Sequence, residues 1–256
     1  RQPVTSIYLQ AKEHFHKDGF FMVENFISQK EVAEVLTELR RVLKEVVPGM
    51  PASKVYYELK GDKSSLKQLQ ELHVYDAYFA SLMNSSPFQK IAEQLLGEPV
   101  EGKNLQYFNK RPLISNQTPP HQDGYYFMIK PLQAVTLWLA LDTVDEDNGC
   151  VRYQIKSHLQ KLRPHVRSET LGFSQGIEDY GTKDELTNEV AFSCVPGTLI
   201  GHHALTIHRA DRNNSSKRER RALGFIYYGV SAKVDEVAYA TYQSRLAQEL
   251  HSENLI

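Results

Sequence analysis

The stretch Thr118-Pro-Pro-His121-Gln-Asp123-Gly-Tyr-Tyr-Phe127 sets a histidine and an aspartate two residues apart, ahead of a run of aromatic side chains. On a strand, side chains at i and i+2 point to one face. His121 and Asp123 would then converge on one point, as neighbouring metal ligands must. The spacing alone is weak evidence, because a chain with ten histidines often carries one His-x-Asp by chance. The competing explanation is a surface histidine beside a turn aspartate. Position favours a site, since the pair opens a β-pattern directly after Pro119-Pro120. A third ligand is available in Gly197-Thr-Leu-Ile-Gly-His-His-Ala-Leu-Thr-Ile-His208, which reads as a strand, a bend and a second strand ending at His208. Two histidines and one carboxylate on adjacent strands make the facial triad of non-haem Fe(II) oxygenases. Such a triad leaves room on the metal for a chelating cosubstrate and dioxygen. Downstream, Lys217-Arg-Glu-Arg220-Arg221 runs into another β-pattern. Most of this basic cluster reads as a solvated turn. One arginine pointing inward could hold a carboxylate through paired hydrogen bonds. Arg220 takes that role, because Ala222, Gly224 and Ile226 share its parity and form a small or apolar inner face.

These residues lie far apart in the chain and need a scaffold that gathers them. The N-terminal part reads mostly as helix: 7–17, then a strand at 20–24, and a strong helix to about Val47 opened by the capping box Ser28-Gln-Lys-Glu31. Further helices are predicted at 76–83 and, with Ser86 as cap and Pro87 at the first position, up to Leu96. Residues 52–72 read as loop, with a turn of helix near 65–72. From residue 99 the pattern turns to strands at 100–109, 121–129, 134–142, 150–155, 190–192, 199–208 and 221–230. Many short strands separated by turn signals predict a sandwich or barrel. The expected layout is one domain, 1–256: a helical N-terminal third (1–97) supporting a barrel core (98–232), then a C-terminal helix within 233–256. The long stretch 156–189 is the natural lid-like insertion and specificity loop.

Composition narrows the class. With 30 basic and 31 acidic residues in 256, net charge near zero predicts no nucleic-acid or membrane-surface partner. The two cysteines, Cys150 and Cys194, form no CxxC and suit packing in a reducing compartment. No apolar run reaches transmembrane length and the first residues show no signal-peptide core, so the expected location is cytoplasmic.

Taken together, the motifs resemble the phytanoyl-CoA dioxygenase family of Fe(II)/2-oxoglutarate-dependent oxygenases, over nearly the whole chain. The resemblance runs from His16-Lys-Asp-Gly-Phe-Phe-Met-Val through His121-Gln-Asp-Gly-Tyr-Tyr-Phe, Thr136-Leu-Trp-Leu-Ala-Leu-Asp, Asp147-Asn-Gly-Cys and Ser157-His158. It ends in His208-Arg-Ala-Asp-Arg-Asn213 and Arg220-Arg-Ala-Leu. It implies a mainly β fold of the double-stranded β-helix type, a jelly-roll, cupin-like barrel. It implies His121, Asp123 and His208 as Fe(II) ligands and Arg220 as the arginine that holds the distal carboxylate of 2-oxoglutarate, with Arg221 as the alternative. Trp138 and Gln106 match positions that line the cosubstrate. The implied reaction uses 2-oxoglutarate and O2 as cosubstrates. It hydroxylates an unactivated C–H of a small-molecule metabolite and releases succinate and CO2. Related halogenases have a small residue where Asp123 stands, so the carboxylate argues against halogenation.

Two departures from the family pattern stand out. Gln154-Ile-Lys-Ser157-His158 replaces Pro-Gly-Ser-His, and the pair His202-His203 is additional. That pair is read as packing or loop hydrogen bonding, unless a bulge brings one member behind the metal. For the substrate, Tyr125 and Phe127 share the ligands' parity and form either an apolar wall or barrel core. Arg163, His165 and Arg167, with Arg152 as a further candidate, suit an anionic substrate group or are solvated surface charge. The competing class is a metal-binding cupin-type barrel without oxygenase activity, a binding module or isomerase. It would keep the triad but have no need of Arg220 and Trp138.

Overall fold

The computed structural model describes residues 4–85, 87–167 and 175–253. The capping box forms as read. The Ser28 hydroxyl accepts from the Glu31 N–H, and the Glu31 carboxylate accepts from the Ser28 N–H. Helix Gln29–Glu45 follows, and its stripe Val32, Val35, Leu39 and Val42 is buried in the largest apolar cluster. Each such side chain contributes roughly 1.5–3 kcal/mol by leaving water. Helix Pro87–Leu96 packs on one face of the main sheet, where Phe88 stacks on Phe225 at 4.2 Å. Its expected cap, Ser86, lies outside the described residues.

Two sheets build the site. The large one is antiparallel throughout, in the order Phe20–Val23, Leu199–His203, Ala134–Ala140, Arg220–Gly229, Val100–Lys110, Leu66–Leu69, Val55–Tyr57. The small one runs Glu189–Ala191, Val151–Gln154, His208–Ala210, Thr118–His121. Alternation along the large sheet sends Leu105, Tyr107, Leu137, Leu139, Leu223 and Phe225 into the helix-covered core. The opposite parity, including Arg220, Trp138 and Ile226, lines a cavity shared with the small sheet. The described strands form four separate sheets and no closed barrel.

The N-terminal third is less helical than expected. Phe20–Val23 forms one edge of the large sheet, and Val55–Tyr57 with Leu66–Leu69 forms the other, within the segment read as loop. Leu66-Lys-Gln-Leu69 has no strong local strand pattern. It becomes a strand because Gln68 and Leu69 pair with Phe108 and Tyr107, some 40 residues on. The stretch 156–189 is structured too. It holds a hairpin of His165–Arg167 with Gln175–Ile177, then helix Lys183–Thr187; residues 168–174 of the expected lid lie outside the described residues. Cys150 and Cys194 are buried free thiols. No helix among the described residues is long and apolar enough to cross a membrane.

His203 faces away from the cavity, between the rings of Phe15 (5.7 Å) and His158 (5.8 Å). Its Nδ1 accepts from the Leu205 N–H at 3.0 Å. Burial, with His158 and His202 adding, holds its pKa down to about 4. The unfolded chain therefore binds this proton from about pH 6.5, whereas the fold binds it only near 4. Stability is lost as pH falls through that window, with His203 contributing about 3 kcal/mol. In His203→Asn the amide oxygen can accept in place of Nδ1. With chelator present, its melting temperature is expected to fall less between pH 7 and 4.5 than that of the parent. Equal losses in both would remove His203 from the account.

Candidate metal centre

His121 ends the strand Thr118–His121 and lies directly opposite His208 in the antiparallel pair, which sets their rings 4.1 Å apart. His121 Nδ1 meets the Pro119 carbonyl at 2.7 Å, and His208 Nδ1 meets the Thr206 carbonyl at 3.0 Å. A carbonyl only accepts, so both Nδ1 atoms carry the proton and both Nε2 atoms present lone pairs. Asp123 Oδ1 lies 3.4 Å from His121 Nε2 and 3.5 Å from His208 Nε2. Three ligand atoms thus converge within 4.8 Å of one another. That donor set of two imidazoles and a carboxylate fits a divalent metal.

Asp123 arrives by a different route from the one its spacing suggests. The strand stops at His121, and Asp123 is the first residue of the short helix Asp123–Phe127. The Gly124 N–H donates to the Ala204 carbonyl at 2.8 Å, which ties the helix start to the turn before His208. Met128 in the left-handed region (φ 51°) ends it. Helical rather than strand periodicity follows. Tyr125 stacks on His165 at 4.3 Å and does not line the cavity, whereas Tyr126 and Phe127 do.

The second carboxylate oxygen is held from behind. Asp123 Oδ2 accepts from Thr136 Oγ1 and from His202 Nε2, each at 2.7 Å. The Tyr153 hydroxyl, 2.8 Å from His202 Nδ1, donates to it and so fixes the tautomer. The extra pair therefore divides: His202 supports the site and His203 packs elsewhere. Burial alone would raise the Asp123 pKa. His208, His202 and the hydrogen bonds outweigh it and hold the carboxyl well below its usual range. Burial, with His202 and His121 adding, keeps His208 well below the usual histidine range, the neutral form a metal needs.

Arg220 starts its strand facing inward, its guanidinium 5.3 Å from the Trp138 ring. It is 4% exposed, its Nε has no hydrogen-bond partner, and no carboxylate among the described residues pairs with it. Burial pulls its pKa down to about 10, so it remains charged at neutral pH. A buried unpaired cation is costly and fits an anionic ligand that arrives later. Arg221 is spent on Asp142 at 2.7 Å. Gln106 and Trp138 both lie opposite Gly224 on neighbouring strands, where a Cβ would come within 2.8 Å of the Phe108 ring. Arg220, Trp138, Gln106 and the His121, Asp123 and His208 cluster border one cavity of about 790 Å³.

Of the expected substrate arginines, Arg167 borders it, whereas Arg152 and Arg163 do not. Arg152 pairs with Asp211 at 2.9 Å and with Glu146, and Arg163 pairs with Glu185 and Asp179. Each has acidic neighbours that sequence separation concealed. Sequence reasoning also missed Tyr126, which helical periodicity would have found. The predicted C-terminal helix is found at Glu236–Ser252, but that its Tyr239 and Tyr242 line the cavity was not foreseen, because it depends on where the helix packs.

A model of the phytanoyl-CoA dioxygenase family matches residues 15–222. Peroxisomal phytanoyl-CoA dioxygenase of Mus musculus is 23% identical, covering 94% of this chain and 74% of its own. A probable alpha-ketoglutarate-dependent hypophosphite dioxygenase of Stutzerimonas stutzeri is 26% identical, covering 87% and 78%. Among solved structures, the epimerase SnoN in complex with Fe3+, alpha ketoglutarate and a nogalamycin has a TM-score of 0.72 at 22% identity, covering 90% of this chain and 86% of that one. The match spans His121, Asp123, His208 and Arg220, and the chain belongs to the phytanoyl-CoA dioxygenase family.

Proposed function

We propose that this chain, as one jelly-roll domain over 1–256, is an Fe(II)- and 2-oxoglutarate-dependent dioxygenase that hydroxylates an unactivated C–H of a small molecule. The observation that carries the reading is the shared cavity: the His121, Asp123 and His208 ligand atoms gathered within 4.8 Å at one end and, beside them, the buried Arg220, with which no carboxylate among the described residues pairs. A barrel that only bound metal would have no use for the second feature. Relatives that are dioxygenases support the same class. Two buried free thiols support a reducing compartment, the cytoplasm being our reading.

His121, Asp123 and His208 would hold iron, and Arg220 the far carboxylate of 2-oxoglutarate beside Trp138 and Gln106. When bound, iron with 2-oxoglutarate and dioxygen supplies an oxidant strong enough for an unactivated C–H, with succinate and CO2 as by-products. The protein's part is orientation. His202 and Thr136 occupy Asp123 Oδ2, which leaves Oδ1 for the metal. Tyr126, Phe127 and Ile226 wall the space against water. Asp123 fills the position a halide would need, so we assign hydroxylation rather than halogenation.

Anaerobic Fe(II) plus 2-oxoglutarate should give the weak visible charge-transfer band of a chelate, and oxygen should then yield succinate. Absence of both sinks the reading. With a substrate in hand, the product should gain one oxygen; a product of unchanged mass would mean epimerisation instead. His202→Leu removes one donor to Asp123 and is expected to weaken Co(II) or Fe(II) binding about 10–100-fold. His202→Gln, which keeps an N–H donor, should recover most of it. Unchanged affinity in His202→Leu would make this histidine packing alone.

A further inference from the structure

We infer that the part of the cavity away from the metal and Arg220 binds an uncharged, multiply hydroxylated ring, a sugar or cyclitol unit; the claim that this ring is oxidised rests on the oxygenase reading above. Charge is the first argument. Lys54, Lys67, Lys103, Arg167 and Arg209 border the cavity, and each has a carboxylate partner: Glu71, Glu58, Glu101, Glu253 and Glu189 respectively. Among the described residues, the cations there without a carboxylate are Arg220 and Lys110. These two lie opposite each other in the strand pair, at the cosubstrate end. Lys110 donates to the Asn116 carbonyl, and burial, then Arg220, holds it well below the usual lysine range. An anionic substrate group thus finds no cation of its own outside the cosubstrate end.

The wall chemistry is the second argument. Gln68, Asn104 and Gln106 lie on two adjacent strands at one side of the cavity, and Gln70 directly follows the first of them. Asn104 Nδ2 and Gln106 Nε2 both donate to Gln70 Oε1, at 2.7 and 2.9 Å, which fixes three amide planes. Asn104 Oδ1 is fixed in turn by the Glu71 N–H at 2.8 Å. Gln68 is 2% exposed, and its Oε1 has no partner. Buried acceptors are rarely left so, because each costs roughly 1–3 kcal/mol. An acyl chain would leave this oxygen unsatisfied. A hydroxyl both donates and accepts and matches an amide's two ends. The C-terminal helix supplies Tyr239 and Tyr242 to the same cavity as Tyr56, giving flat apolar surface for the C–H face of a saturated ring. The volume of about 790 Å³ holds such a ring together with the cosubstrate.

The test is saturation-transfer NMR on the full chain loaded with Zn(II) and 2-oxoglutarate, which cannot turn over. The probes are methyl hexosides and myo-inositol, set against cyclohexanol and the matching methyl hexuronides. At least one uncharged polyol should receive saturation at its ring protons, with cyclohexanol and the hexuronide about tenfold weaker. Gln68→Leu should cost the polyol about tenfold in affinity while the melting temperature holds or rises, since an unpaired buried acceptor is removed. The inference is overturned if no polyol binds, if cyclohexanol or the hexuronide binds as well, or if Gln68→Leu leaves polyol affinity intact. Succinate formation with Fe(II) and 2-oxoglutarate alone separates the two readings. Uncoupled succinate without polyol binding defeats this inference and leaves the oxygenase; polyol binding without any succinate does the reverse.

Discussion

Arg220→Met is expected to raise the 2-oxoglutarate requirement for succinate formation by about 100-fold, while the cofactor-free protein melts at a higher temperature. The two signs have one cause. The guanidinium is buried, its Nε lacks a partner, and no carboxylate among the described residues neutralises it. In the empty site that is a cost. Methionine fills similar volume and packs on Trp138 without a charge to bury. With cosubstrate present, the proposed contact would pair the same desolvated charge with a carboxylate. Losing two charge-assisted hydrogen bonds of about 1.5 kcal/mol each corresponds to roughly two orders of magnitude in affinity. Titration calorimetry and melting curves check both halves. Arg221→Met is the control: it breaks the ion pair with Asp142, so it should lower stability and leave 2-oxoglutarate affinity alone. If Arg220→Met left affinity unchanged, the guanidinium would not be holding the cosubstrate.

Asp123→Asn should abolish turnover, by about a thousandfold or more, yet stabilise the metal-free fold. Its amide oxygen can still accept from Thr136 and His202. Its Nδ2 replaces the oxygen that lies 3.4 and 3.5 Å from two imidazole lone pairs, and it brings two N–H groups to them. A repulsive cluster becomes a hydrogen-bonded one, at the expense of the anionic ligand. Fe(II) or Co(II) titration and melting with chelator report the two effects. Full retention of metal affinity would remove Asp123 from the ligand set. Asp123→Gly tested with chloride addresses the halide question, because it opens the coordination position and gives up the carboxylate's two supports. Hydroxylation at parent rates in that variant would refute the assignment.

Much of this was legible in the chain because it rests on local or periodic signals. The Ser28 capping box, the stripe of helix Gln29–Glu45 and the strands Val100–Lys110, Ala134–Ala140 and Arg220–Gly229 each follow from residue type and spacing. The inward parity of Arg220 did as well, since it is a property of one strand. The reading failed where a segment's state depends on its partner. Leu66–Leu69 is a strand because Val100–Lys110 offers it an edge. Asp123–Phe127 is a helix because Gly124 hydrogen-bonds to Ala204, so Tyr125 and Tyr126 exchange the roles that strand parity gave them.

By itself, then, the sequence determined the family, the kinds of side chain gathered at the His121, Asp123 and His208 cluster and beside Arg220, and which of two adjacent arginines points inward. Those follow from motif order and from alternation along single strands. Tertiary structure alone decided which of two adjacent histidines supports Asp123, which arginines are already neutralised, and which wall the amides and tyrosines share. The reason is physical. His202 reaches Asp123 because Leu199–His203 pairs with Ala134–Ala140 in the register that sets His202 beside Thr136. Arg152 and Arg163 are spent on carboxylates up to 59 residues away. Pairing register and charge neutralisation are properties of distances across the fold, and no spacing along the chain encodes them.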